Sequence, residues 1–144
     1  MPDSTYPSSS LRLTAMLKDL ARIRGFVEES AMICGISPTD LPGVLLAVDE
    51  AVTNIILYGY AGGSGPVEIA VSRLPDALVI HLRDEAPPFD PTSVPAPDLT
   101  IPPEERVPGG LGIYLIRQSM DELSYRQRPD GGNELTMIKK ARRE

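Results

Sequence analysis

The 144-residue chain predicts an α/β fold: a two-layer sandwich with a mixed, mostly antiparallel sheet and its helices on one face. Three observations predict it. Stretches of period two and of period near 3.6 follow one another as strand, two helices, two strands, a Pro-rich stretch, helix and two strands. Both later strand pairs are joined by short turns, which favours antiparallel pairing. The composition, 42% hydrophobic and 24% charged, is that of one globular domain with a core of its own.

The first ten residues, MPDSTYPSSS, are polar and rich in Pro and Ser, and read as a flexible tail before a domain spanning 11–144. Leu11 to Met16 partly alternates apolar with polar and predicts a first strand. Leu20, Ile23, Val27, Ala31 and Cys34 then fall at helical spacing, and Gly35 can end that helix. Ser37-Pro38-Thr39-Asp40 carries start signals for a second helix from about Leu41 to Tyr58, with Leu45, Val48, Val52 and Ile55 as its core stripe. The Gly-rich run from Ala61 to Pro66 is a turn. Val67, Ile69 and Val71 alternate with polar neighbours, Pro75-Asp76 turns the chain, and Leu78, Ile80 and Leu82 alternate again, giving a hairpin.

Between Pro87 and Pro108 lie eight of the fifteen prolines and no helical period. A loop of this length in a compact domain reads as a functional lid. Gly109-Gly110-Leu111-Gly112 closes it and opens a helix with Ile113, Ile116, Met120 and Leu123 on one face. Strands near Leu123–Gln127 and Glu134–Lys139 flank the turn at Pro129–Gly132.

The bulk properties exclude some classes. A net charge of −6 lacks the basic footprint that direct nucleic-acid binding needs, although one local anion site could still be built from backbone N–H groups and a cation. A single cysteine, Cys34, cannot form an internal disulfide and fits packing in a reducing cytoplasm. No basic leader opens the chain and no apolar run approaches membrane-spanning length, so a cytoplasmic protein without a membrane segment is expected. His81, the one histidine, falls mid-strand and reads as a sheet-face residue.

Four features could carry chemistry. Glu50, Asn54 and Tyr58 are spaced i, i+4, i+8 and share a helix face, with Ala47 and Ala51 beside it leaving room for an approach. A carboxylate can take a proton, and an amide oxygen one turn away can ligate a hard cation; alone, the pair would read as a solvated face. Asp84, at a strand end, can accept from a ligand amino group or simply cap a loop. The glycines at 109, 110 and 112 would let backbone N–H groups at a helix start approach phosphates. Gly132-x-x-x-Thr136 supplies a tight turn and a hydroxyl.

Their order is more informative than any one of them. Glu50-x-x-x-Asn54, Asp84, the Gly-rich helix start and Gly132-x-x-x-Thr136 together resemble the GHKL ATPase module shared by gyrase, a class of heat-shock chaperones, sensor histidine kinases and MutL. Within it, LLAVDEAVTNIILYGY, RDEAPPFDP, GGLGIYLIRQSMDEL and GGNELTMIK resemble the anti-sigma-factor serine kinases of bacterial partner-switching systems, over roughly Leu11 to Lys140.

The resemblance implies a two-layer GHKL sandwich with a Pro-rich ATP lid, and ATP and magnesium as cofactors. It implies Glu50 as the general base for a substrate serine, and Asn54 as a ligand to magnesium at the ATP phosphates. Asp84 would accept from the adenine amino group, with Thr136 behind it through water, and Gly109, Gly110 and Gly112 would line the phosphates. Ala86 stands where relatives usually carry the glycine of Asp-x-Gly, Tyr58 where they often carry histidine, and Leu111 where they often carry arginine or another polar residue. The partners implied are a small antagonist of the anti-anti-sigma type and a sigma factor or other regulatory target, with Arg22 as a contact, and a homodimer. The implied function is a serine/threonine protein kinase that phosphorylates the antagonist and sequesters the target. The alternative is an ATP-binding module that switches partners without transferring phosphate.

Overall fold

A computed structural model describes residues 8–106 and 110–141. Five strands form one sheet in the order β1 (Ser8–Ala15), β2 (Gly65–Leu74), β3 (Ala77–Asp84), β5 (Asn133–Lys140), β4 (Glu122–Gln127). Every adjacent pair is antiparallel, in keeping with the mostly antiparallel sheet expected. Three helices, α1 (Leu20–Ile33), α2 (Leu41–Asn54) and α3 (Gly110–Ser119), complete the layer above it.

Alternation along the strands decides which face is covered. In β2, Val67, Ile69 and Val71 are buried while Glu68, Ala70 and Ser72 are half-exposed. Register carries this pattern across the sheet, so Leu11, Ile69, Leu82 and Leu135 form one apolar row beneath the helices. Ile23, Val27 and Ala31 of α1 and Val44, Val48 and Val52 of α2 close the core from above. Burying such side chains contributes about 1.5–3 kcal/mol each, which offsets the ordering of the chain.

β1 starts at Ser8, so Ser8–Ser10, placed in the tail by their polarity, pair with Ser72, Val71 and Ala70 instead. Ser9 also donates to Ser30 of α1 at 2.9 Å, and such polar anchors leave no hydrophobic period to read. The rest of the expected tail, residues 1–7, lies outside the described residues. α1 ends as anticipated: Gly35 takes φ +82 and returns its N–H to Met32, a conformation that costs glycine nothing.

The core stripe of α2 is rotated toward its alanines. Val44, Ala47, Val48, Ala51 and Val52 are buried, whereas Leu45 and Ile55 pack only at the margin. Ala47 therefore makes core contact rather than space for a ligand, because small residues let α2 settle between α1 and α3. The helix continues as one π-helical turn, Ile55–Gly59. Leu41–Gly59 is thus long and apolar enough to cross a membrane by length and composition, contrary to the expectation that no run would be. Its apolar face is spent on the core, as in the central helix of a globular domain. α3 stops at Ser119, and Leu123, expected on its face, belongs to β4.

Candidate functional site

Two cavities meet on α2. The first, about 230 Å³, is lined by Ala51, Asn54, Tyr58, Asp84, Ala86, Phe89 and Asn133 among others, and is mostly apolar. The second, about 440 Å³, is lined by Glu50, Asn54, Tyr58, Arg106, Leu111 and Gly112 among others. Asn54 and Tyr58 line both, so they stand at the junction. The π turn helps here: it ends α2 with Ile55, Tyr58 and Gly59 all on the first cavity.

Asp84 is the buried polar centre of the first cavity, 5% exposed. Its Oδ1 accepts the Ala86 N–H at 2.9 Å and the Asn133 amide at 2.8 Å, and no described protein donor reaches Oδ2. Burial pushes its carboxyl above the ordinary carboxylate range, against the Asn133 and Ala86 hydrogen bonds and the Arg128 charge, which favour ionisation. A carboxylate with one uncommitted oxygen in an apolar cavity suits one strong donor, such as an exocyclic amino group.

Asn133 is the residue that the sequence pattern misses. It faces Asp84 across β3 and β5, and its Oδ1 accepts from the Phe89 N–H at 2.9 Å and the Tyr125 hydroxyl at 2.5 Å. Thr136, expected behind Asp84, is three residues further along β5 and therefore on the opposite sheet face. There its Oγ1 bonds His81 Nδ1 at 2.9 Å. The role given to Thr136 is corrected: it has no part in either cavity. Period-two counting back from Met137 and Leu135, which face the helices, would have found Asn133 instead.

The glycine at 132 is required, with φ +93 and the Asp84 carbonyl where a side chain would begin. Ala86 needs no positive φ, since Ala61 is the one described non-glycine residue that has it. Room for its methyl comes from Gly59, where a Cβ would sit 2.8 Å from that of Ala86. The substitution of alanine for the usual glycine is thus accommodated by a second glycine across the cavity.

Adjacent acids on α2 have different fates. Asp49 is engaged by Arg24 of α1 through Nη2 at 2.6 Å and Nε at 2.9 Å. Glu50 makes no hydrogen bond or ion pair among the described residues and lines the second cavity. Gly112 lies against it: a Cβ there would fall 2.7 Å from Glu50 Oε2 and 3.5 Å from Asn54 Nδ2. The start of α3 therefore approaches Glu50 and Asn54 as closely as only glycine allows. Gly110 is buried at that helix start, and Gly109 lies outside the described residues. Arg106, not singled out by the sequence, lines the cavity from the Pro-rich segment, and Leu111 is there too, 41% exposed. Arg22 is exposed on α1 and lines neither cavity.

The Pro-rich segment has local order of its own. Asp90 caps the turn at Pro91–Ser93 by accepting from the Thr92 N–H at 2.8 Å, and Arg117 of α3 donates to the Thr92 and Val94 carbonyls. Pro87, Pro88, Phe89 and Pro91 wall the first cavity, and Pro103, Glu104 and Arg106 the second.

Residues 13–139 match the family described as histidine kinase-like ATPase domain. The chain is similar to the serine/threonine-protein kinase BtrW of Bordetella bronchiseptica, 33% identical over 64% of this chain and 65% of that one. It is also similar to the serine-protein kinases RsbW of Bacillus cereus and of Bacillus thuringiensis, 29% identical in each case over 96% of this chain and 88% of theirs.

Proposed function

The chain belongs to the histidine kinase-like ATPase domain family, and from that premise we propose that it is an ATP-dependent serine/threonine protein kinase acting on a small antagonist protein. The observation that carries the reading is the junction on α2. A Glu50 carboxylate and an Asn54 amide without hydrogen-bond partners among the described residues, together with the close-packed Gly112, surround one opening, next to an apolar cavity floored by Asp84.

In this reading Asp84 Oδ2 accepts from the adenine amino group, and the purine lies against Ala51, Ile55 and Ile116. The fit to magnesium rests on the donor set. No cluster of three acidic, His or Cys groups exists among the described residues, so the ion would take its ligands from Asn54 Oδ1, phosphate oxygens and water. Bound there, magnesium would neutralise phosphate charge as it redistributes during transfer. Gly110 and Gly112 would let backbone N–H groups at the start of α3 approach the phosphates, with the Leu111 side chain beside them, and Arg106 supplies a cation from the Pro-rich segment. Glu50 accepts the proton of the substrate serine as its oxygen bonds to the γ-phosphorus and the bond to the ADP oxygen breaks.

Relatives named serine-protein kinases support the choice of acceptor. The reading extends to sequestration of a regulatory target such as a sigma factor, with exposed Arg22 as one contact, and to a homodimer in the cytoplasm. Phosphate added to the antagonist would release it by charge, freeing the kinase to hold its target. The test is phosphate transfer from labelled ATP to a serine-bearing antagonist encoded beside this protein. Glu50→Ala should lose transfer by about 10²–10⁴-fold while still binding Mg·ATP; unchanged transfer would remove Glu50 from the mechanism.

A further inference from the structure

The Asn133 side chain touches more of the molecule than lining a cavity requires. Its Nδ2 donates to Asp84 Oδ1 at 2.8 Å, to the Pro87 carbonyl at 3.2 Å and to the Ala86 carbonyl at 3.3 Å. Its Oδ1 accepts from the Phe89 N–H at 2.9 Å and from Tyr125 of β4 at 2.5 Å. Two protons and two lone pairs therefore serve five neighbours around an amide that is only 7% exposed. An apolar residue here would strand several of those groups without partners.

Those neighbours belong to two different tasks. Asp84 is the polar group on which base recognition rests. Pro87 to Phe89 is the root of the Pro-rich segment, which Arg117 pins again at Thr92 and Val94. We propose that Asn133 is a positioning residue that fixes the Asp84 carboxylate and the root of the Pro-rich segment in one arrangement, so that base binding and seating of residues 87–91 form a single event. The inference rests on the ATP reading and goes beyond it by naming the group through which the base site and the segment are joined.

The coupling has a direction. With Oδ1 held by Ala86 and Asn133, the Asp84 carboxylate cannot rotate to another donor, and Oδ2 is the oxygen left for a ligand. The same amide that holds it also holds Phe89, so a ligand that orders Asp84 orders Phe89. The donor also favours ionised Asp84, which burial opposes. Other groups facing this corner are Arg128, which donates to the Asp84 carbonyl at 3.2 Å, the hydroxyls of Tyr60 and Tyr125, and Glu85.

Two variants of the full chain separate the two tasks. Asn133→Ala removes both. Asn133→Asp keeps the shape and the acceptor for Phe89 and Tyr125 but sets a second carboxylate against Asp84 Oδ1. ATP affinity is measured by calorimetry across pH, with amide hydrogen exchange at Phe89 with and without ATP. The ionisation of ATP itself is common to every variant and cancels in the comparison. Asn133→Ala should lower ATP affinity about tenfold and abolish the ATP-dependent protection of Phe89. Asn133→Asp should retain that protection while the acid limb of ATP binding moves up by about one pH unit or more. An acid limb that coincides with wild type in Asn133→Asp, or protection of Phe89 that survives Asn133→Ala, overturns the inference. Failure of the wild-type chain to bind ATP would strike the proposed function instead, and the two failures are distinct.

Discussion

Asp84 and Asn133 are cross-strand partners on the helix-covered face of the sheet, while Arg83 and Glu134, one residue along each strand, are partners on the other. On that far face the charges form a row that follows register across all five strands: Arg12, Glu68, Arg83, Glu134 and Arg126. Arg83 donates to Glu134 at 2.8 Å and to Glu68, and Arg126 reaches Glu134 at 3.2 Å. Burial works against ionisation of Glu134, but the hydrogen bonds from Arg83 and Arg126 win and hold it below the ordinary range. At Asp84 the balance is reversed, and burial wins. The Glu134 charge is satisfied within the fold, whereas Asp84 keeps an oxygen that the fold leaves open. A strained charge in a cavity marks function, and a paired one marks structure.

The sharpest way to break this comparison is to neutralise each acid in turn. Because the folded pKa of Asp84 is raised, its ionisation costs stability at neutral pH. Asp84→Asn should therefore melt no lower than wild type, since an amide oxygen still accepts from Ala86 and Asn133. Its ATP affinity should fall by about 100-fold, because a donor replaces the acceptor that faces the base. Glu134→Gln should do the opposite, losing about 1–3 kcal/mol of stability with ATP affinity within about twofold of wild type. Thermal melts and calorimetry on both variants decide it; a destabilised Asp84→Asn that binds ATP normally would reverse the assignment.

One side of this contrast was legible in the sequence. Glu50, Asn54 and Asp84 stand out by type, spacing and position at element ends, and the structure brings Glu50 and Asn54 together under Gly112. Three things were not legible. Thr136 owes its expected role to the resemblance of the Gly132-x-x-x-Thr136 spacing, but strand parity, which a spacing motif ignores, sends it to the far face. Asn133 looked like part of a turn, since Asn beside glycines is the usual turn chemistry. The weight of Ala47 and Ala51 in the core was hidden because amphipathic counting favours large side chains, whereas close helix packing selects small ones. Gly59 and Ala86 show the same limit: their complementarity spans 27 positions of sequence and appears only in space.

Thr136→Ala sharpens the comparison at smaller scale. If the far face is structural, losing the hydroxyl that bonds His81 should cost on the order of 0.5–1.5 kcal/mol and change ATP affinity less than about twofold. A loss of affinity of tenfold or more, with stability intact, would return Thr136 to the nucleotide site.

The smallest effect belongs to His81, which shares the far face with Thr136, Arg83 and Glu134. Burial lowers its pKa from the ordinary value, Glu134 pulling it up and Arg83 pushing it down. A histidine whose folded pKa is depressed binds fewer protons folded than unfolded between the two values. Its contribution to stability is therefore complete above about pH 6.5 and is lost as pH falls through the interval below. Glu134 titrates in a lower window, beginning near pH 4.5 where its unfolded form takes up protons, so it does not move until the His81 change is under way. Asp84, with a raised pKa, gains stability on acidification, and does so equally with and without the histidine. Comparing melting temperatures of wild type and His81→Gln at pH 7.5 and pH 5.5 isolates the term. Wild type should lose more on acidification, by about 1–3 °C, which corresponds to under about 1 kcal/mol for a domain of this size. Equal losses would mean that His81 is as easily protonated in the fold as out of it, and that this face tolerates a further positive charge beside Arg83.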